Sequence, residues 1–363
     1  MSTIRALLIH YPDKYVEEEA IALAEAGGYE PTAQLTQRYL ERARYGIGDG
    51  KAEEAASLVR ESEIGTILFD GSLNASQTYN LAKLCKVEVK DREKLILEIF
   101  TRRATTAEAK LQVELAELQY ELPRARDKVR KAKSGEQPGF FGLGKYEVDV
   151  YVRMMKRRMA TLRRKVDRVE DRREILMNHR MKSGYPTVAL AGYTGAGKTT
   201  LFNRLTGESK EVDAGVFTTL SPTARGVDIG GMRVLLSDTV GFISRLPPFL
   251  VEAFKSTLEE VSYAAVVLLL VDASQPPEKM VNSHQSCLKT LADLEVPEMK
   301  TLTVMNKVDL VGGEELGEKI WRLGVRETVG VSAKTGKGLA DLTRLIRERV
   351  LRSQLGGAEV EAA

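Results

Sequence analysis

The sequence is poor in the residues that build disulfides, metal centres and membrane spans. Its 363 residues include two cysteines, three histidines and one tryptophan. Cys85 and Cys287 lie far apart and lack metal-type spacing, so we expect two buried, reduced thiols. The longest apolar run, residues 264–271, is far too short to cross a bilayer. Because no basic segment precedes a hydrophobic core at the N-terminus, we expect a cytoplasmic protein with no membrane span.

Charge is distributed unevenly along the chain. The net charge is +3, but residues 124–182 contain 19 Lys and Arg against 8 Asp and Glu, a net charge of +11. The rest of the chain therefore carries a net charge of −8. A basic segment within an acidic remainder suggests that this segment binds a polyanion. The hydrophobic and charged fractions, 43% and 29%, are typical of a folded protein with two or three domains.

Residues 1–90 alternate between strand-like and helix-like stretches, which predicts a small α/β domain with a largely parallel sheet. A glycine-rich loop, "YGIGDGK", separates the second strand from the second helix. It is either an ordinary turn or a phosphate contact for a second nucleotide. The predicted strands cover residues 4–10, 30–37, 65–70 and 86–89, and the predicted helices cover 13–26, 52–60 and 76–84.

Residues 91–182 carry two apolar seams with 4-3 spacing, which predicts a long antiparallel helical hairpin. We expect one helix from Asp91 to Lys133, kinked at Pro123. At the turn, Phe140, Phe141 and Leu143 either cap the helix ends or insert into a partner. The first seam is Leu111, Leu115, Leu118, Leu122, Ala125, Val129 and Ala132, and the second is Val148, Val152, Met155, Met159, Leu162, Val166 and Val169.

The second arm of the hairpin has ten basic residues between Arg153 and Arg173. Such a face is either merely solvated or contacts the phosphates of a nucleic acid, and clustering of one sign on one arm favours RNA. The candidate contacts are Arg153, Lys156, Arg157, Arg158, Arg163, Arg164 and Lys165.

Residues 183–352 begin with a phosphate-binding fingerprint. The strand-like "TVALA" (187–191) is followed by "GYTGAGKT", a G-x-x-x-x-G-K-T pattern, and then by a helix. Backbone N–H groups of such a loop surround the α- and β-phosphates, and the helix adds its positive N-terminal end. Lys198 is expected to reach the β- and γ-phosphates. The loop residues expected to bind nucleotide are Gly192, Tyr193, Thr194, Gly195, Ala196, Gly197, Lys198, Thr199 and Thr200.

Three residues are predicted Mg²⁺ ligands: Thr199 of the phosphate loop, Asp238 at the end of "RVLLSD", and Thr219 in "FTTLSPTAR". Thr218 is the alternative to Thr219. The backbone N–H of Gly241 is expected to meet the γ-phosphate. The next position often holds a polar residue that orients the attacking water, but here it is Phe242, so we expect slow intrinsic hydrolysis.

Two further loops select the base. An Asp309 carboxylate accepts the paired donors of guanine, whereas adenine offers no matching pair, so we predict GTP and GDP as ligands. Lys307 is expected to lie over the ring, and the Ala333 N–H to meet the guanine carbonyl oxygen. All these groups fall at carboxyl ends of predicted strands, where open α/β sheets bind ligands. The full set of base-site candidates is Asn306, Lys307, Asp309, Ser332, Ala333 and Lys334.

The ordered loops make residues 183–352 similar to a Ras-like GTPase domain. Upstream, "YGIGDGK" (45–51), "FDGSLNASQTYNLAKL" (69–84) and "DREKLILEIFTRRATTAEAKLQVELAELQYELPR" (91–124) resemble the HflX family of ribosome-associated GTPases. The resemblance covers residues 4–350 and implies an N-terminal α/β domain, a helical hairpin and a C-terminal P-loop GTPase domain. It also implies binding to the large ribosomal subunit and its rRNA, and a role in dissociating or rescuing ribosomes.

Two departures limit what the resemblance carries over. The hairpin turn is "QPGFFGLGK" (137–145), where many members resemble "RGPGE", and Gly195 stands where many members have an Asn that helps to bind potassium. Tip contacts and a potassium site are therefore not carried over. We expect a monomer whose residues 353–363 form a polar tail, without a further C-terminal domain. The alternative function is a nucleotide-gated RNA-binding or assembly factor, or an ATP-dependent RNA remodeller acting through the N-terminal domain.

Overall fold

The computed structural model describes residues 3–134, 145–182, 185–209, 216–217, 223–239, 241–253 and 260–361. The chain divides into two units, residues 1–167 and 168–363, each with its own sheet.

The first unit contains a four-stranded parallel sheet in the order β2-β1-β3-β4. The predicted α/β class and parallel sheet are therefore confirmed. Its central strands are apolar and buried, as expected of a parallel sheet covered on both faces. The strands are β1 (Ile4–His10), β2 (Tyr29–Thr36), β3 (Thr66–Phe69) and β4 (Glu88–Asp91).

Short polar side chains start the helices of this sheet. The Asp13 carboxylate accepts hydrogen bonds from the first turn of α1, and Asn74 forms a capping box with Gln77 at the start of α3. Helix α2 begins at Asp49, inside the segment that we predicted as a loop through Lys51. The helices are α1 (Lys14–Ala26), α2 (Asp49–Glu61), α3 (Ala75–Cys85) and α4 (Arg92–Arg103).

The predicted single helix from Asp91 to Lys133 is wrong, because the chain leaves the helix at residues 104–106. Helix α4 contacts α1, β3 and β4, so it covers the sheet. The Thr106 hydroxyl accepts a hydrogen bond from the Ala109 N–H at 3.1 Å and starts a new helix, α5 (Ala107–Ser134). The apolar residues of α4 buried by this packing are Leu95, Ile96, Leu97, Ile99 and Phe100.

Helices α5 and α6 (Lys145–Lys182) pack on each other through the predicted seams. An ion pair between Arg158 and Glu114, 2.6 Å apart, also joins them. Pro123 lies inside α5, which continues to Ser134. Residues Phe140, Phe141 and Leu143 lie outside the described residues. The seam residues in the shared cluster are Leu111, Leu115, Leu118, Met159, Leu162 and Val166.

The second unit contains a six-stranded sheet in the order β10-β9-β8-β5-β7-β6. Only β6 runs antiparallel to its neighbour, β7. The carboxyl ends of the parallel strands therefore share one edge, where the predicted nucleotide loops begin. The strands are β5 (Thr187–Gly192), β6 (Thr223–Ile229), β7 (Met232–Asp238), β8 (Val266–Asp272), β9 (Thr301–Asn306) and β10 (Thr328–Gly330).

Helices of the second unit bury a continuous apolar core against this sheet, including Phe202, Leu268 and Val304. Among the described residues, no helix has the length and apolarity needed to cross a bilayer. The boundaries predicted at residues 90, 182 and 352 stay predictions. The helices are α7 (Lys198–Thr206), α8 (Pro248–Ala253), α9 (Pro277–Asp293), α10 (Gly313–Leu323) and α11 (Leu339–Glu361).

Candidate nucleotide-binding site

The phosphate loop connects β5 to α7 as the fingerprint predicts, and two of its glycines have no room for a side chain. Gly192 has φ +144°, and a Cβ there would lie 2.5 Å from the Leu270 carbonyl oxygen. Gly197 has φ +93°, and a Cβ there would lie 2.3 Å from the Asn306 side-chain nitrogen. Because α7 begins at Lys198, the first N–H groups of this helix have no intrahelical partners and remain suited to bind phosphate oxygens.

Lys198 lies within this loop and is only 8% exposed. Its Nζ donates to the carbonyl oxygens of Gly192 and Tyr193, each at 3.0 Å. Burial lowers the pKa of the Lys198 ammonium, and the nearby Asp238 carboxylate opposes this change. A phosphate group placed at this nitrogen would supply further negative charge to the same buried cation.

Two of the three predicted Mg²⁺ ligands meet directly. The Thr199 hydroxyl donates to Asp238 Oδ2 at 3.1 Å, and both side chains are buried. A hydroxyl and a carboxylate are the hard oxygen ligands that Mg²⁺ prefers, so the two side chains fit this ion. Thr218 and Thr219 lie outside the described residues.

The segment that follows Asp238 lies against strand β5 and the phosphate loop. The Thr239 hydroxyl donates to the Leu190 carbonyl oxygen at 2.6 Å. A Cβ on Gly241 would lie 2.9 Å from Lys198 Nζ, so this glycine backbone runs beside the ammonium. The Gly241 position therefore agrees with the predicted γ-phosphate contact, which itself stays a prediction.

Phe242 fills a core position. Its residue surface is 1% exposed, while its backbone N–H donates to the Gly192 carbonyl oxygen at 3.0 Å. The Phe242 carbonyl oxygen accepts the Thr194 N–H at 2.8 Å. Thr194 therefore directs its N–H to this segment. The buried ring favours an anchoring role for Phe242, and a polar group supplied by a partner stays a prediction.

Asn306 joins the phosphate loop to the second base loop. Its side-chain nitrogen donates to the Ala196 carbonyl oxygen at 2.8 Å, and its Oδ1 accepts the Ala333 N–H at 3.0 Å. The Ala333 N–H, predicted to meet the guanine carbonyl oxygen, thus already has an intramolecular acceptor. A guanine contact from this group would have to share or replace that bond.

Asp309 is exposed, as a carboxylate that meets a ligand must be. A hydrogen bond from the Ser332 side chain lowers the pKa of Asp309, with smaller contributions from the charges of Lys334 and Lys337. The carboxylate is therefore held in its ionised, accepting form. Ser332 thus has a place beside the carboxylate, within the predicted base site.

Sequence reasoning missed two residues that hold the base loops in place. Asp272, at the end of β8, pairs with Lys307 Nζ at 2.6 Å and accepts the Ser274 N–H at 3.0 Å. Arg204 on α7 donates to the Lys334 carbonyl oxygen at 2.5 Å. A carboxylate at the end of a buried strand is a signal that could have identified Asp272, whereas a local pattern gives no sign of the Arg204 contact.

The loop "YGIGDGK" behaves as a turn. Gly46 exchanges two backbone hydrogen bonds with Arg42, at 2.9 and 3.1 Å, and has φ +80°. A Cβ on Gly46 would lie 2.5 Å from the Leu73 side chain. Packing and backbone conformation therefore explain this glycine without a phosphate ligand.

All seven candidate RNA-contact residues on α6 are exposed. Arg158 also pairs with Glu114 of α5. Exposure agrees with either interpretation of this basic face, and an RNA contact stays a prediction. The residues are Arg153, Lys156, Arg157, Arg158, Arg163, Arg164 and Lys165.

Three family models match successive parts of the chain. Residues 14–101 match a family described as GTP-binding GTPase N-terminal, and residues 103–180 match the GTP-binding GTPase middle region. Residues 187–307 match a family described as 50S ribosome-binding GTPase.

Relatives that align with most of this chain are also found. A GTPase HflX from Thermococcus kodakarensis is 41% identical, over 93% of this chain and 78% of the relative. A GTPase HflX from Escherichia coli is 36% identical, over 95% of this chain and 83% of the relative. The crystal structure of a GTP-binding protein from Sulfolobus solfataricus in complex with GDP is 26% identical, with a TM-score of 0.51, over 96% of this chain and 99% of that one.

Proposed function

The chain belongs to the HflX family of GTPases, and from that premise we propose that it hydrolyses GTP to GDP and phosphate on the large ribosomal subunit. Hydrolysis would control the dissociation or rescue of ribosomes.

The nucleotide part of this proposal is supported by the way in which hydrogen bonds bring the predicted site residues together. The buried pair of Thr199 and Asp238 adjoins Lys198, and Asn306 joins the same phosphate loop to the base loop that contains Ala333. Groups suited to the metal, the phosphates and the base therefore lie along one sheet edge. Such an arrangement suits a guanine nucleotide with its Mg²⁺ ion.

Each residue has a part in the proposed reaction. Thr199 and Asp238 would hold Mg²⁺, with Thr219 as the proposed third ligand. The bound ion would neutralise charge on the β- and γ-phosphate oxygens. Lys198 would stabilise the same charge, while the Gly241 N–H would contact the γ-phosphate and order the loop around it.

Activation of the attacking water is the step of the proposed reaction to which we assign no residue. The Phe242 ring is buried and apolar, so it cannot hydrogen-bond to the water that would attack the γ-phosphate. We therefore propose slow intrinsic turnover, raised when the ribosome orders the loop or supplies a polar group. In related GTPases a supplied group raises the rate by about 10³ to 10⁵.

The basic face of α6 supports the ribosomal partner. Seven exposed cations on one helix suit the phosphates of rRNA, and the match to a 50S ribosome-binding GTPase family favours the large subunit.

The test is GTP turnover by the whole chain with and without purified large ribosomal subunits. We expect a large increase with subunits, and a Lys198→Ala variant should lose turnover in both conditions. Equal rates with and without subunits would contradict the proposal that the ribosome activates hydrolysis. If the wild-type chain turned over no GTP in either condition, the hydrolase assignment itself would be wrong.

A further inference from the structure

We propose that Tyr193 is a positioning residue whose side-chain hydroxyl holds residues 241–244 on the phosphate loop and thereby sets the preference for GTP over GDP. This inference rests on the proposed function, since it concerns the response of that same site to the γ-phosphate. It assigns a role to a side chain, whereas the fingerprint uses residue 193 only for its backbone.

Three hydrogen bonds, which we call the loop clasp, join residues 192–194 to residues 242–244. The Phe242 N–H donates to the Gly192 carbonyl oxygen at 3.0 Å, and the Thr194 N–H donates to the Phe242 carbonyl oxygen at 2.8 Å. The Ser244 N–H donates to the Tyr193 hydroxyl oxygen at 2.8 Å. Only the third bond depends on a side chain, so it alone can be removed by substitution without altering the main chain.

The clasp resembles a short piece of parallel sheet. Phe242 and Tyr193 form an isolated parallel bridge, and the side chains of Phe242 and Ile243 enter the core. The main-chain pairing therefore ends at Phe242, and the Tyr193 hydroxyl extends the connection two residues further, to Ser244. Without that bond, the chain after Ile243 would keep fewer ties to the phosphate loop.

The clasp fixes the backbone that is expected to detect the γ-phosphate. A Cβ on Gly241 would lie 2.9 Å from Lys198 Nζ and 3.0 Å from Thr194 Cγ2. Gly241 directly precedes the clasped residues, so its backbone is held beside the ammonium predicted to meet the β- and γ-phosphates. The detecting group and the phosphate loop thus form one pre-ordered unit.

Pre-ordering favours the nucleotide that contacts the ordered segment. If residues 241–244 were not already ordered, binding of the γ-phosphate to the Gly241 N–H would also have to order them. The entropy cost of that ordering would weaken the binding of GTP. GDP has no γ-phosphate and gains nothing from that order. A neutral hydrogen bond of this kind corresponds to about a threefold to tenfold change in Kd, which should fall on GTP alone.

The experiment compares Tyr193→Phe with the wild type, using GDP and a non-hydrolysable GTP analogue. We expect the Kd of the analogue to rise about threefold to tenfold, while the Kd of GDP changes less than twofold. Tyr185→Phe is the matched control, since it removes the hydroxyl of a tyrosine that is 45% exposed just before β5. This control should leave both constants unchanged.

Hydrogen exchange without nucleotide gives a second measurement. In Tyr193→Phe the Ser244 amide should exchange faster than in the wild type, whereas the helical amides of α7 should not change. Equal weakening of both nucleotides would show general damage to the phosphate loop and would overturn the proposal, as would an unchanged ratio of the two constants. If the wild type bound neither nucleotide, the proposed function would fail, while unchanged exchange at Ser244 would separately refute the clasp.

Discussion

At the scale of single residues, the predicted base site contains side chains that are themselves held by neighbours. Asp309 is exposed but receives a hydrogen bond from the Ser332 side chain, and Lys307 is paired with Asp272. A charged carboxylate whose neighbour favours its ionised form accepts both guanine donors over a wider range of pH. We therefore predict that base recognition depends on Ser332, although its side chain need not touch the base.

The Ser332→Ala variant tests this dependence through pH. The Ser332 hydrogen bond is the main cause of the lowered pKa of Asp309, so its loss should move that pKa upward. In the proposed site the ionised carboxylate accepts the guanine donors, so affinity should be lost as pH falls through the pKa of Asp309. The pH midpoint of GDP binding should therefore rise in Ser332→Ala, as measured by titration of GDP at falling pH.

The control for this prediction is Asp309→Asn. An amide does not titrate, so this variant should show no midpoint from residue 309, and its preference should shift from GTP toward xanthosine triphosphate. If Ser332→Ala kept the wild-type midpoint, the proposed effect of Ser332 on Asp309 would be wrong. If Asp309→Asn kept its preference for GTP, the assigned role of Asp309 would be wrong.

The two cysteines also agree with the prediction made from the sequence. Cys85 and Cys287 are both free and buried, as predicted. Burial raises the pKa of Cys85 to about 11 and that of Cys287 to about 12. Both side chains therefore remain protonated thiols, the form that reacts slowly with oxidants.

At the scale of elements, α5 and α6 depend on a narrow apolar seam. Leu162 is fully buried between residues such as Leu115 and Val166, whereas neighbouring positions on α6 are charged and exposed. With so few apolar contacts, each seam residue should contribute a large share of the stability of the helix pair.

The Leu162→Ala variant should lower the free energy of unfolding by about 2 to 4 kcal/mol, because it removes buried methyl groups and leaves a cavity. Urea unfolding followed by circular dichroism measures this loss. Met154→Ala, on the same helix but 62% exposed, should change the free energy by less than about 0.5 kcal/mol. Similar losses in the two variants would contradict the seam.

The elements also show where sequence reasoning succeeds and fails. The strand before the phosphate loop was predicted at 187–191 and found at Thr187–Gly192, because a buried apolar run ends at a glycine there. The break at residues 104–106 was missed since apolar spacing continues across Ala104. Strand β4 begins later than predicted because Lys86 adopts φ +58° after α3, a conformation usually signalled by glycine.

Long-range contacts account for the rest of what the sequence did not predict. The fingerprint and the base motif predict which loops form the site, because the chemistry that they indicate depends on local spacing. The Tyr193 hydroxyl and the Ser244 N–H are 51 positions apart, and the Arg204 contact with Lys334 spans 130 positions. No local pattern encodes which of several polar side chains will meet across such distances.

At the scale of the whole molecule, net charge differs between one basic part of the chain and the acidic remainder. The net charge of +11 over residues 124–182 stands against −8 for the remainder. The exposed cations of α6 thus supply a local basic surface on a chain that is otherwise acidic. Binding through such a surface should release counterions from RNA and weaken as salt rises.

The double variant Arg157→Gln with Arg164→Gln should weaken binding to the large ribosomal subunit. If both residues contact phosphates, the slope of log K against log salt should become less steep by about 1 to 2. Co-sedimentation across a salt series measures this change. The control is Arg322→Gln with Arg326→Gln, which removes two exposed charges from the second unit. Equal slopes for the two double variants would assign no RNA contact to the α6 pair.

The two hydrogen bonds of the Asn306 side chain have a consequence for how a nucleotide would leave the proposed site. One side chain holds both the Ala196 carbonyl of the phosphate loop and the Ala333 N–H of the base loop. A binding partner that displaced Ala333 and Asn306 would therefore also break the hydrogen bond from Asn306 to the phosphate loop, without touching that loop. Nucleotide exchange could then be accelerated from the guanine side alone, with base and phosphates released together.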